Sequence, residues 1–332
     1  MEATRAEVAA PKLSLKRLRL TSGIQGPLIG LILLCAFFAF MSPYFLQVRN
    51  WLNILDQVTV GGIVAIGMTL VIIAGGIDLS VGSVLAFSVM VMGWLSHAER
   101  GGPDWPLPLG ILAGLLTGAA CGTVTGLLIT VAKLPPFIAT LAMMSILRGL
   151  ANVITGGFQI IGYPDWFVDL AVVRHYGFLS MTVATFLLVV AVTWFILKYR
   201  RGGRVLYAIG GSNEVARLAG IKVKRWTVAV YALAGMLAAL AGTAFAARLN
   251  SSQPSAGTGA ELDAIAAAVI GGASLSFGGV GTVGGTVVGV LIIGVLHNGL
   301  NLLGINAFYQ QVVIGVVIAA AVTFDTLGRK HG

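Results

Sequence analysis

VTVGGIVAIGMTLVIIAG, residues 58–75, runs for eighteen residues without a charge. The hydrocarbon core of a bilayer is spanned by about 20 apolar residues in helix. Helix is favoured there because it satisfies every backbone group within the segment. The run ends in GGIDLSVG, residues 75–82, where two glycines interrupt the helix and a carboxylate follows. A second apolar run begins at Leu79. Apolar run, glycine break, apolar run is a pattern of a polytopic membrane protein.

The rest of the chain repeats the pattern. Of 332 residues, 57% are hydrophobic and 10% charged, against about a quarter charged in a soluble domain. Qualifying or nearly qualifying spans are 24–42, 58–75, 79–97, 107–132, 136–155, 178–197, 226–248, 284–303 and 308–325, with a shorter run at 262–274. The first run follows Lys12, Lys16, Arg17 and Arg19. It is too long for a signal h-region of about 7–15 residues and is read as a retained helix.

The net charge of +9 does not mark a nucleic-acid binder, because its cations sit in short segments between apolar runs. Residues 198–225 hold Lys198, Arg200, Arg201, Arg204, Arg217, Lys222, Lys224 and Arg225, so this loop is assigned to the cytoplasm. Counting from it gives an all-α transmembrane bundle of about ten spans with both termini cytoplasmic. Residues 1–23 form the N-terminal segment, 24–325 the membrane domain and 326–332 the tail. A re-entrant hairpin over 262–283 with a periplasmic C-terminus is the alternative.

The first break has an echo: GGASLSFG, residues 271–278, shares GGxxLSxG with residues 75–82. Asp78 and Ser274 occupy matching positions, and both residue types suit the N-cap of a following helix. Two readings stand side by side: broken helices lining a polar path, or ordinary capped turns. Under the first, Gly75, Gly76, Asp78, Ser80, Gly271, Gly272 and Ser274 are path candidates, together with Arg148, Asn298 and Asn301. Arg148 lies within an apolar span and either faces the bundle interior or snorkels to an interface. Asn298 and Asn301 bring amides that suit hydroxyl-rich ligands or bond helices together. Gly110, Gly114, Gly118, Gly122 and Gly126 recur every fourth residue and read as a packing seam.

In the basic loop, Ser212 or Asn213 can start a short helix and Gly220 can end it. Val215, Leu218 and Ala219 share one greasy face. This is either an interfacial helix on lipid or a docking knob for a partner protein. No catalytic or metal-binding set is visible: GVGTVG at 279–284 lacks a βαβ context, and there is no P-loop, HExxH or GxSxG.

AGGIDLSVGS (74–83), KLPPFIATLA (133–142), GGSNEVARLAGI (210–221), RLNSSQPSAGTGAELDAIAAAVIGG (248–272) and HNGLNLLG (297–304) resemble signatures of the permeases of ribose-type ABC sugar importers. The resemblance covers about residues 24–325. It implies a bacterial inner-membrane permease that works as a pair, most simply a homodimer. ATP and Mg would be bound by a partner, as two ATP-binding subunits or a fused pair, and a periplasmic sugar-binding protein would deliver substrate. It assigns coupling to the ATPase to Asn213, Glu214, Arg217, Leu218 and Gly220. Ribose leads, with xylose, arabinose, galactose and inositol open. Val280 stands where many members carry a basic residue. The competing class is an ion-coupled secondary transporter of a small polar solute, which would show ionisable residues deep in several spans; Arg148 and His297 are the candidates here.

Overall fold

The computed structural model describes residues 25–275 and 277–330. The basic segment expected over 1–23, Ser276 and the last two residues lie outside them.

The first half is built from five apolar helices: α1 (Gln25–Met41), α2 (Val48–Ile73), α3 (Val81–Leu95), α4 (Leu107–Thr130) and α5 (Pro136–Val153). A connector then carries β1 (Ile160–Ile161), α6 (Asp165–Val172), β2 (Arg174–His175) and β3 (Leu179–Ser180). After α7 (Met181–Tyr199), the basic loop folds as α8 (Arg201–Gly211) and α9 (Asn213–Leu218). The second half holds α10 (Val223–Leu249), β4 (Ser251–Ser252), α11 (Ala260–Ile270), α12 (Val283–Leu302) and α13 (Ala307–Lys330). Among the described residues, six helices are long and apolar enough to cross a membrane: α2, α4, α5, α7, α10 and α12. Helices α1 and α3 and the Phe308–Val317 part of α13 are apolar but shorter. Each apolar run of the sequence coincides with a helix; length and composition support six crossings.

Helix α2 is the axis of the bundle, buried without interruption from Gly62 to Ile73. It begins ten residues before the run at 58, because its first turns carry polar side chains that are paired. Asn50 donates to the carbonyl of Phe45 at 3.0 Å and accepts from Asn298 at 2.9 Å. Asp56 forms an ion pair with Arg174 at 2.5 Å. Such pairing lowers hydropathy without ending the helix.

The α4 glycines act as the spacing predicts. A Cβ on Gly126 would stand 2.7 Å from the Cα of Val228, and those on Gly118 and Gly122 would overlap the carbonyls of Gly235 and Tyr231. Helix α4 therefore lies backbone to backbone on α10. Helix α7, poor in glycine, exposes Leu187, Leu188, Val192 and Phe195, as befits a lipid face. Two short antiparallel ladders tie the connectors: Ile160 opposite Ser252, and Arg174 opposite Ser180.

Candidate functional site: the glycine breaks, the coupling helices and a polar cavity

Helix α2 stops at Ile73, and Gly75 adopts φ +81°, a left-handed conformation that costs glycine least. Asp78 is fully buried, and its Oδ1 accepts from the backbone N–H of Ser80 at 2.8 Å and from the Ser80 hydroxyl at 2.6 Å. The N-cap residue of α3 is Ser80, so Asp78 supports the turn two residues ahead of the cap. The Tyr231 hydroxyl donates to the carbonyl of Ile77 at 3.1 Å and spans the open stretch from α10.

The second break differs. Gly272 takes φ +95°, and Ser274 is buried with its hydroxyl accepting from the N–H of Phe277 at 3.2 Å. Ser274 does not cap the next helix. Thr282 does, accepting from Gly285 at 3.0 Å. The expected equivalence of Asp78 and Ser274 as N-caps is thus corrected. Gly279 and Gly281 follow the second motif and delay the helix to Val283, whereas the first motif enters its helix at Val81.

The two breaks meet. Gly279 donates its N–H to the carbonyl of Ile73 at 2.8 Å. A Cβ on Gly278 would lie 2.6 Å from the carbonyl oxygen of Gly210 and 2.8 Å from the Cα of Gly75. A Cβ on Gly210 would overlap Ile73 and Gly279 together. The C-terminal end of α8 is therefore wedged between both breaks, and Tyr207 of α8 donates its hydroxyl to the Gly281 carbonyl at 2.8 Å. One turn along, the hydroxyls of Thr69 and Thr286 join α2 to α12 at 2.6 Å.

Helix α9 hangs directly from this joint. Ser212 caps it by accepting from Val215 at 3.3 Å, and Gly220, at φ +80°, closes it with a bond to Arg217 at 3.0 Å. Ala216 faces inward, while Val215 and Leu218 are 64% and 78% exposed. Asn213 helps line a crevice of about 230 Å³ with Gly75, Gly76, Lys224, Thr227 and Tyr231.

A larger cavity, about 340 Å³, opens between α2, α10, α11 and α12. Gln57, Arg248, Thr258, Asp263 and His297 line it beside Val58, Val60, Phe245, Val290 and Ile293. The His297 Nε2 stands 3.5 Å from the Asp263 Oδ2.

A family model described as the permease component of branched-chain amino acid transport systems matches residues 50–322. The chain is 48% identical over 303 residues to the ribose import permease RbsC of Bacillus subtilis, covering 90% of this chain and 92% of that protein. It is 45% identical over 305 residues to RbsC of Escherichia coli K12, covering 91% and 93%. The chain belongs to the family of ribose-type ABC sugar permeases. A fructose import permease, FrcC of Rhizobium meliloti, is 37% identical over 313 residues, covering 92% of this chain and 85% of the relative. No solved structure matches.

The remaining predicted residues of this inner-membrane permease lie away from the joint. Arg148 donates through one guanidinium nitrogen to the carbonyls of Pro254 at 2.7 Å and Ala256 at 2.8 Å. It pins the loop that delivers Gly257 and Thr258 to the cavity wall. Asn298 is joined to Asn50, and Asn301 accepts from Gln310 at 2.7 Å. These amides connect helices, and Asn50 lies about 35 Å along α2 from Ile73 at the helical rise. Sequence reading gave no site role to Gln57, Arg248, Thr258 and Asp263, which lie on α2, α10, the loop after β4 and α11. The signal available was a polar residue inside or beside an apolar run, as at Asp263.

Proposed function

We propose that this permease conducts ribose into the bacterial cytoplasm as one half of a homodimer. The observation that carries the reading is identity of 45–48% to ribose import permeases over nine-tenths of each chain, against 37–39% to fructose and D-allose permeases. ATP and Mg are held by two ATP-binding subunits or a fused pair, and a periplasmic sugar-binding protein supplies the substrate. The chain crosses the membrane ten times, through α1–α5, α7 and α10–α13, with both termini cytoplasmic. The eight cations of residues 198–225 support that orientation. Helices α3 and α11 are short, but each adjoins an irregular stretch, and the buried Asp78, Ser80, Ala273 and Ser274 anchor these stretches in the protein.

Coupling runs through Asn213, Glu214, Arg217, Leu218 and Gly220. The exposed Leu218 fits a pocket on the ATPase, and Glu214 and Arg217 form its polar rim. A push on α9 reaches α8 through Ser212, and Gly210 carries it to both breaks together. The path candidates Gly75, Gly76, Asp78, Ser80, Gly271, Gly272 and Ser274 move as one gate. Arg148, Asn298 and Asn301 hold the surrounding helices in register.

The test is uptake of labelled ribose by proteoliposomes holding the permease, its ATPase and its binding protein. ATP-dependent ribose uptake that excess fructose, D-allose or L-arabinose does not compete away is the expected result. Uptake of one of those sugars without ribose would replace the substrate, and ATP-independent, gradient-driven uptake would replace the class.

A further inference from the structure

The cavity between α2, α10, α11 and α12 lies far from the gate: Gly61, on its wall, is about 18 Å along α2 from Ile73. Three features of its wall bear on what it holds. First, Asp263 and His297 stand 3.5 Å apart and are only partly covered, at 36% and 28% exposure, while Arg248 is exposed and donates to the Asp56 carbonyl at 3.3 Å. Side chains this open to water can exchange a water for a ligand hydroxyl. Second, the wall offers both polar and apolar groups. Asp263 and Gln57 supply acceptors, His297 and Gln57 supply donors, and the Gln57 amide has no side-chain partner among the described residues. Val58, Phe245 and Ile293 supply apolar surface. Sugars use both, with hydroxyls around the edge and C–H groups on the face. Third, Gly61 is a glycine in mid-helix with nothing within 4 Å of the place its Cβ would take. A membrane-helix glycine ordinarily allows close approach of another helix. Here it leaves open volume, while Gly294 across the cavity is pressed against Val58.

We propose that this cavity is a holding site for one uncharged polyhydroxylated solute, with Asp263, His297 and Gln57 as its hydroxyl partners and Gly61 as the open wall. This rests on the sugar-permease reading and adds the residues that grip the cargo. Its volume of about 340 Å³ fits one monosaccharide with some water, at the small end of ligand pockets.

The experiment uses the complete transporter in lipid nanodiscs with Cys35 and Cys121 replaced by alanine and Ala260→Cys as a reporter on the cavity wall. A small water-soluble methanethiosulfonate labels that thiol, with and without ribose, other neutral monosaccharides, glycerol and a charged amino acid. At a sugar concentration roughly ten times that giving half-protection, labelling should slow about tenfold by simple occupancy. Asp263→Asn and His297→Leu should each abolish protection while the thiol stays reactive. Gly61→Leu should slow labelling without any sugar, and Gly61→Ala should leave protection in place. No protection by any neutral sugar or polyol, or equal protection by the amino acid, would overturn the site. So would a Gly61→Leu protein that loses its dimer, which would make the open wall a contact between copies. If Gly61→Leu fails to insert, the Asp263 and His297 variants decide. Ribose uptake by the same wild-type complex is scored separately. Protection by another sugar without ribose import retains the holding site and replaces only the substrate.

Discussion

Gly279 donates its backbone N–H to the carbonyl of Ile73 at 2.8 Å. Helix α2 loses its regular acceptor pattern at Ile73, and the loop after α11 fills the vacancy. One hydrogen bond thus joins two interruptions about two hundred residues apart, and Gly210 of α8 packs against both of its ends. Backbone contact at this spacing leaves no room for a side chain, so the proposed coupling route has no soft intermediary at this point.

Gly210→Ala should reduce ATP-driven uptake by about tenfold or more, because its Cβ overlaps backbone atoms that cannot yield as a flexible side chain would. Gly211→Ala, one residue along with open space around it, should transport normally. Uptake and ATPase activity measured side by side provide the check. Equal behaviour of the two variants would remove Gly210 from the coupling route.

Leu218→Asp should weaken co-purification of the ATPase by over tenfold, the loss of a central interface anchor being worth about 2 kcal/mol or more. Leu218 is 78% exposed, so the protein should still insert and fold. Full association and full uptake in this variant would make α9 a helix that lies on lipid.

Asp78→Ala should cost more than Ser274→Ala. The carboxylate accepts two bonds in a fully buried site, and removing it strands the Ser80 donors at about 1–3 kcal/mol. Ser274 accepts a single 3.2 Å bond, worth about 1 kcal/mol. Thermal denaturation in detergent ranks the pair, and uptake should fall in the same order. The reverse order would mean that the second break is the stiffer one.

Arg148→Met should lower stability by about 1.5–3 kcal/mol by leaving the Pro254 and Ala256 carbonyls without their charged donor. Proteolysis between 253 and 259 should accelerate relative to the wild type. Unchanged proteolysis would show that the ladder between β1 and β4 holds this loop without the arginine.

Much of this permease was legible before any fold was known. Every apolar run became a helix, because helix is what an apolar segment adopts when water is absent. The glycine seam of α4 read correctly as packing, because four-residue spacing places small residues on one face. The Ser212 to Gly220 segment read correctly as a short capped helix, because caps are local chemistry. The start of α2 was less legible: Asn50 and Asp56 look like loop residues until Asn298 and Arg174 are beside them. Ser274 was misread as a cap, since the glycines after it outweigh its own preference.

What the sequence by itself determined is therefore what depends on near neighbours: the membrane class, the helices, the capped segment from Ser212 to Gly220 and the two glycine breaks. Only the tertiary structure decided that both breaks and Gly210 occupy one point, and that Gln57, Asp263 and His297 share one cavity. Those contacts link segments separated by tens to hundreds of residues. No periodicity records which helix faces which, since in lipid that choice is made by the close fit of bare backbone and the pairing of scattered polar groups.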